Sequence, residues 1–305
     1  MNLILIEPAD LLAPGRARLT GRRARHLVDV HRAEPGRELR VGLLGGPVGT
    51  GRVEVVEAGP GGPDSSDRGL PAEGRDDEGS SAPGREGREP DAPEPGDQGP
   101  TGPEPGPGPG DDGPVVELAF TLTDPPPPRP GLDLVLALPR PRVLRRVLRS
   151  VAALGVDRVA LVNSWRVDKS YWQTPALDPA AVRHELVLGL EQARDTVLPE
   201  VTLEPLFKPF VEDRLPALVA GRRALVAHPG AAAALPGPAP EPTTLCVGPE
   251  GGWIPYEVDK LVEAGCAAVT LGPRVLVVED ALTACLARLT AAAPGSPPAP
   301  AGDGP

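Results

Sequence analysis

Three short segments in the last third of the chain combine glycine and proline in ways that can build a ligand site. They are Ala227-His228-Pro229-Gly230, Val247-Gly248-Pro249-Glu250-Gly251-Gly252 and Leu271-Gly272-Pro273-Arg274-Val275-Leu276. In each, Gly removes a side chain or Pro fixes φ, so the backbone can bend tightly and offer amide and carbonyl groups to a flat ligand such as adenine. Ionisable groups stand in or just beyond the same segments: Glu250, Arg274 and Glu279. None of the three matches G-x-G-x-x-G, and no G-x-x-x-x-G-K-[ST] occurs in the chain, so neither the common dinucleotide fingerprint nor a phosphate-cradling loop is present in this region. Metal chemistry finds little support. Cys246, Cys266 and Cys285 lack C-x-x-C spacing and read as reduced, buried thiols, while His26 and His31, five residues apart, are not expected to share a helix face.

The elements that must position these loops are strands and helices in alternation. LDLVLALP is a continuous apolar run of the kind a parallel strand buried on both faces requires. Residues 141–154 then place Leu144, Val147, Leu148 and Val151 at helical spacing, with Arg142, Arg145, Arg146 and Arg149 elsewhere around the wheel and Gly155 closing the helix. The alternation continues to EDALTACLARLTAA and predicts an α/β domain over residues 132–293 with a mostly parallel sheet, in which ligands collect at strand ends. Ahead of it, residues 1–57 and 115–123 read as short strands with Gly-rich turns, Gly45-Gly46 forming a hairpin, which together predict a small β-barrel. Residues 58–114 read as a disordered acidic insert at a hairpin tip, residues 124–131 as a proline-stiffened hinge, and residues 294–305 as a disordered tail.

The chain holds 43 Pro, 37 Gly and a net charge of −11. Residues 58–113 contain 14 Asp/Glu and 4 Arg, a net of −10, so the remainder is close to neutral. The acidic balance therefore describes the insert and does not argue against an RNA partner. MNLILIEPAD lacks a basic leader and a small-residue cleavage site, and no apolar run approaches the length of a membrane span, which predicts a soluble cytoplasmic protein.

Taken together, VGPEGGW, LGPRVL and the preceding HP, in a chain that also carries HLVDVHRAEPGREL, SVAALGVDRVALVNSWRVD and LEQARDTVLPEV, resemble the small-subunit ribosomal RNA methyltransferase E family of the SPOUT superfamily. The resemblance implies a small PUA-like β-barrel followed by a SPOUT-type α/β domain whose C-terminal segment threads a trefoil knot. It implies a homodimer with the active site near the subunit interface, methylation of a uracil N3 in the 16S rRNA of the small ribosomal subunit, and no metal. It further implies that S-adenosyl-L-methionine is held by His228, Pro229, Val247, Gly248, Pro249, Glu250, Gly251, Gly252, Leu271, Gly272, Pro273, Arg274 and Leu276.

That chemistry sets its own demands. Uracil N3 becomes nucleophilic as its proton leaves, and charge spreads onto the flanking carbonyl oxygens, so a fixed cation or donor beside them stabilises the reaction. Arg274 is the candidate for that role, with Glu250 and Glu279 as its orienting partners or as the base; the alternatives have Arg274 bridging those carboxylates or holding an RNA phosphate. Arg22, Arg23, Arg25 and Arg32 of the barrel and Arg142 on the first helix of the α/β domain are candidates for contact with RNA phosphates, or else form solvated faces. Trp165, Tyr171 and Trp172 either stack on a splayed base or pack against protein. The chain departs from the family pattern at Val277, where Arg is usual, and at Asp280, where a hydroxyl is usual. The departure keeps a second reading open, a ribosome-assembly relative that binds RNA and retains the cofactor fold with weakened transfer.

Overall fold

A computed structural model describes residues 2–57 and 113–290. The expected insert, apart from Gly113 and Pro114, and the expected tail lie outside the described residues. Two sheets carry the fold. The first has six strands, β1 (Ile4–Ile6), β2 (Leu11–Ala13), β3 (Arg16–Leu19), β4 (Glu38–Leu43), β5 (Val48–Glu57) and β6 (Val115–Asp124), in the order β1-β4-β5-β6-β3-β2. β1 and β2 are the two edges, yet only Glu7–Asp10 joins them. Laid flat, the sheet would hold its edges about 24 Å apart at about 4.8 Å per strand. The connector spans roughly 17 Å at most, so the sheet must curl, and the expected barrel is present as a curled, open half-barrel. Gly45, at φ 72°, makes the β4–β5 turn, and Glu57 pairs with Val115 at the far end of the β5–β6 hairpin.

One helix in this region departs from the all-strand expectation: α1 (Gly21–Asp29) turns Ala24 and Leu27 into the core formed with Ile4, Ile6, Leu19, Val41, Val53 and Leu118. Side chains on a strand alternate sides. Leu3 and Leu5 therefore point the other way from Ile4 and Ile6, into the core of the second sheet. β1 is thus buried on both faces and ties the two halves together.

The second sheet has seven strands, all parallel: β7 (Leu132–Ala137), β8 (Arg158–Val162), β9 (Glu200–Glu204), β10 (Arg223–Ala227), β11 (Ala233–Ala234), β12 (Thr243–Val247) and β13 (Ala267–Thr270), in the order β11-β13-β10-β12-β7-β8-β9. The central β7 and β12 are buried along their whole length, as continuous apolar strands should be. The polar interruption, Asp133, is buried between the guanidinium groups of Arg158 and Arg222. Helix α2 (Pro141–Ala153) buries Leu144, Val147, Leu148 and Val151 as its spacing predicts, and Gly155 follows it in the left-handed region. Helix α3 (Pro179–Ala193) packs beside α2. The chain then runs through α4 (Phe207–Pro209), a π turn, α5 (Leu215–Val219), α6 (Pro255–Glu263) and α7 (Val278–Thr290). No helix among the described residues is long and apolar enough to cross a membrane.

Salt bridges and polar contacts join the halves on one side of α3. Arg22 Nη2 lies 2.7 Å from the buried Glu191 carboxylate, Arg183 Nη2 lies 2.6 Å from Glu7, and the Asn2 amide donates to the Gln192 carbonyl at 2.8 Å.

Candidate functional site

β12, β10 and β13 are neighbours in the sheet and run parallel, so their C-terminal ends line up even though the chain visits them in a different order. The three Gly/Pro segments that follow these strands therefore meet. His228 N–H donates to the Val269 carbonyl at 2.9 Å, and the Gly252 N–H closes a turn onto the Pro249 carbonyl at 2.7 Å. Between the segments lies a cleft of about 350 Å³, within the usual size range of small-molecule sites. Val278, Ala281 and Cys285 of α7 complete one wall, and Arg166, from the loop after β8, completes another.

Two of the bends depend on glycine. A Cβ on Gly248 would sit 2.9 Å from the Trp253 backbone nitrogen, and Gly272 adopts φ 132°. A side chain at Gly248 would crowd the Trp253 backbone, and one at Gly272 would strain the turn. Trp253 is buried on the wall, its ring 5.8 Å from that of Phe207, and its indole N–H has no acceptor among the described residues. A buried donor left without a partner is costly unless something else supplies the acceptor. Burial pushes the Cys285 thiol up to about 11, so it stays protonated.

Among the residues expected at a cofactor site, His228, Pro229, Val247, Gly248, Pro249, Glu250, Gly251, Gly252, Leu271, Gly272, Arg274 and Leu276 line the cleft; Pro273 does not. Of the three charged candidates, Arg274 and Glu250 line it and Glu279 does not. Glu279 occupies the first turn of α7 and points to α2, where its carboxylate meets Arg146 Nη2 at 2.6 Å. Glu250 accepts the Arg140 backbone N–H at 2.9 Å. Arg274 bridges neither carboxylate and is exposed at the cleft, with no ion pair among the described residues.

Arg166 was not singled out in the sequence. Its aliphatic stem lies where a Cβ on Gly251 would fall, and its guanidinium donates to the Gly251 carbonyl. The one available signal was its place in a loop after a buried strand.

The expected RNA contacts divide. Arg22 is half-buried against Glu191, and Arg23 is tied to Asp10 at 2.6 Å and to the Leu5 carbonyl at 2.7 Å, so both hold the fold together. Arg25, Arg32 and Arg142 are exposed. Tyr171 and Trp172 pack against the core, with the Trp172 indole donating to Asn163 Oδ1 at 3.1 Å, whereas Trp165 faces solvent. His26 and His31 do face each other, with ring centroids 5.0 Å apart, because α1 ends at Asp29 and the chain turns back. No cluster of three or more potential metal ligands occurs among the described residues.

The model of the RNA methyltransferase domain family matches residues 126–290, more than half of the chain. The chain belongs to that family. The RNA methyltransferase domain thus contains the second sheet and every residue lining the cleft, while the half-barrel lies outside the match. Ribosomal RNA small subunit methyltransferase E of Treponema pallidum is 31% identical over 164 residues, 51% of this chain and 60% of that protein. The protein of the same name from Mycobacterium bovis is 31% identical over 177 residues, 53% of this chain and 63% of that protein. The chain therefore spans about 60% of the length of these curated relatives.

Among solved structures, ribosomal RNA small subunit methyltransferase E from Neisseria gonorrhoeae, bound to S-adenosyl methionine, superposes with a TM-score of 0.61 at 20% identity, covering 94% of this chain and 95% of that one. A methyltransferase from Legionella pneumophila, in complex with the same cofactor, gives 0.58 at 17% identity, covering 94% of this chain and 96% of that one. At these identities the likeness is one of fold, and it extends over both sheets of the chain.

Proposed function

We propose that the chain transfers the methyl group of S-adenosyl-L-methionine to N3 of a uracil in the 16S rRNA of the small ribosomal subunit, working in the cytoplasm as a homodimer. The observation that carries the reading is the convergence of three side-chain-poor bends on one slot beside Arg166 and Arg274. The residues present fit an adenosine-bearing ligand. Apolar walls from Val247, Leu271 and Leu276 suit a flat ring, Gly248 and Gly272 allow bends that a side chain would crowd or strain, and the unpaired indole N–H of Trp253 is a donor awaiting an acceptor.

When bound, the cofactor supplies a methyl group on a sulfonium, which makes it electrophilic. The chain's own residues then have three tasks. Backbone groups of 247–252 and 271–276 hold and orient the ligand. Arg274 and Arg166, both on the wall, donate to the uracil carbonyl oxygens as N3 loses its proton and negative charge spreads onto them. Glu250, also on the wall, accepts that proton; Glu279 is engaged with Arg146 instead.

The half-barrel, read as PUA-like, offers Arg25 and Arg32 on its surface for RNA phosphates, with Arg142 exposed on α2. The position of β13 beyond β10, with α7 returning to pack on α2, supports a threaded, knotted C-terminal segment. Val275, 82% exposed beside the cleft, and Val277, 59% exposed, support a subunit interface there.

The test supplies purified protein and labelled cofactor to small subunits from a strain lacking the endogenous enzyme, followed by nucleoside mass spectrometry. Formation of 3-methyluridine is the expected result. Its absence, with RNA binding retained, would favour the second reading, an RNA-binding assembly factor, for which Val277 in place of the expected Arg is the specific observation.

A further inference from the structure

We propose that Trp165 is a stacking platform for an unpaired nucleobase of RNA lying next to the cleft, and so a residue that holds the substrate. The inference rests on the RNA-methylating reading above. Trp165 is 81% exposed, the most exposed aromatic side chain among the described residues. Its backbone is nevertheless held firmly. The Trp165 N–H donates to Glu257 Oε1 at 2.7 Å, the Ser164 hydroxyl donates to Glu257 Oε2 at 3.3 Å, and the Val167 N–H donates to the Ser164 carbonyl at 3.0 Å. Glu257, Ser164 and Val167 are all buried. The loop is therefore fixed by its neighbours while the indole is left without protein cover, an arrangement that presents a π face at little ordering cost on binding.

The position and the charge around it select the occupant. Arg166, the next residue, lines the cleft and is anchored on Gly251, so Trp165 sits one residue along the chain from the cleft wall. Arg166 and Lys169 are exposed and form no ion pair among the described residues, and the Asp168 carboxylate is occupied by the Ser170 N–H at 2.8 Å. An aromatic face flanked by two unpaired cations complements a base and its phosphates, because any base offers a π face and the backbone offers negative charge. The apolar run at Val275–Val277 has a different character and suits a protein partner.

The experiment uses the full chain and compares Trp165→Ala and Trp165→Phe with the parent protein. With unmethylated small subunits as substrate, Trp165→Ala is expected to raise KM for the subunit about 5- to 150-fold, the range of one lost base–aromatic stack. The kcat and the affinity for S-adenosylmethionine are expected to stay unchanged, and Trp165→Phe to recover most of the loss. Independently of turnover, a short oligouridylate is expected to quench the tryptophan emission of the parent protein, and to do so much less in Trp165→Ala. An unaltered KM together with unaltered quenching overturns the platform while leaving the methyltransferase reading intact. Dissociation of a dimer by Trp165→Ala, seen by sedimentation, also overturns it by placing the indole in a subunit interface. Absence of methylation by the parent protein defeats the functional reading, and the quenching arm then decides the platform alone.

Discussion

Arg22 on α1 ends on the carboxylate of Glu191, which is only 1% exposed on α3, whereas Arg166 and Arg274 at the cleft form no ion pair among the described residues. The same side chain serves two purposes in the two regions. On the half-barrel, Arg22 neutralises a carboxylate that folding has buried on α3. At the strand ends of the parallel sheet, Arg166 and Arg274 line a cleft, exposed and without an ion pair among the described residues. The difference shows that an arginine-rich stretch says little until the carboxylates it meets are known: Arg22 and Arg23 look like RNA contacts in the sequence and are structural ties in the fold.

Removing a cation from each region is the sharpest way to test that contrast. Arg274→Ala is expected to cost about 100- to 1,000-fold in turnover, the usual effect of losing one donor to a developing anion, with the melting temperature unchanged. A destabilised protein with normal turnover would put Arg274 in the structural class instead. Arg22→Ala is expected to do the reverse, lowering stability by about 3 kcal/mol because it takes the hydrogen-bonded cation from a buried carboxylate. Burial already raises the Glu191 pKa against the pull of Arg22, so Glu191→Gln in the same background should restore most of the loss. Denaturant unfolding of the single and double variants measures this, and equal destabilisation by both would remove the pair from the account.

A smaller effect concerns pH. Burial lowers the pKa of both His26 and His31, and their mutual repulsion adds to it at His26. The unfolded chain then takes up protons more readily than the folded one, so stability increases with pH across this window. The contribution of the neutral histidines is fully present above the ordinary value near 6.5 and is lost as pH falls through the lower folded values. Thermal melts should show the parent protein losing more stability than His26→Gln between about pH 7.5 and about pH 5; parallel curves would contradict the assignment.

Much of the parallel sheet was legible because its strands are continuous apolar runs and α2 shows an unbroken helical period at Leu144, Val147, Leu148 and Val151. Helix α1 was obscured by its own arginines. Ala24, Leu27 and Val28 are spaced for a helix, but three apolar residues among turn-rich strand sequence make a weak period. β11 is two residues long and exists only by pairing with β13. At the site, the loop sequences announced themselves, yet their meeting depends on β10 lying between β12 and β13, an order the chain does not spell out. Arg166 reaches the cleft across 85 residues of sequence, and Glu279 leaves it for a partner 133 residues away. Contacts of that separation are set by packing, which local patterns do not encode.

The central claim is that the three bends form a slot for S-adenosylmethionine, and calorimetry on the full chain tests it most directly. One-to-one binding in the micromolar range is expected, and Gly248→Val is expected to reduce it at least about 10-fold, since its Cβ would meet the Trp253 backbone at 2.9 Å, while circular dichroism reports an intact fold. Absence of binding by the parent protein, or undiminished affinity in Gly248→Val, would contradict the claim.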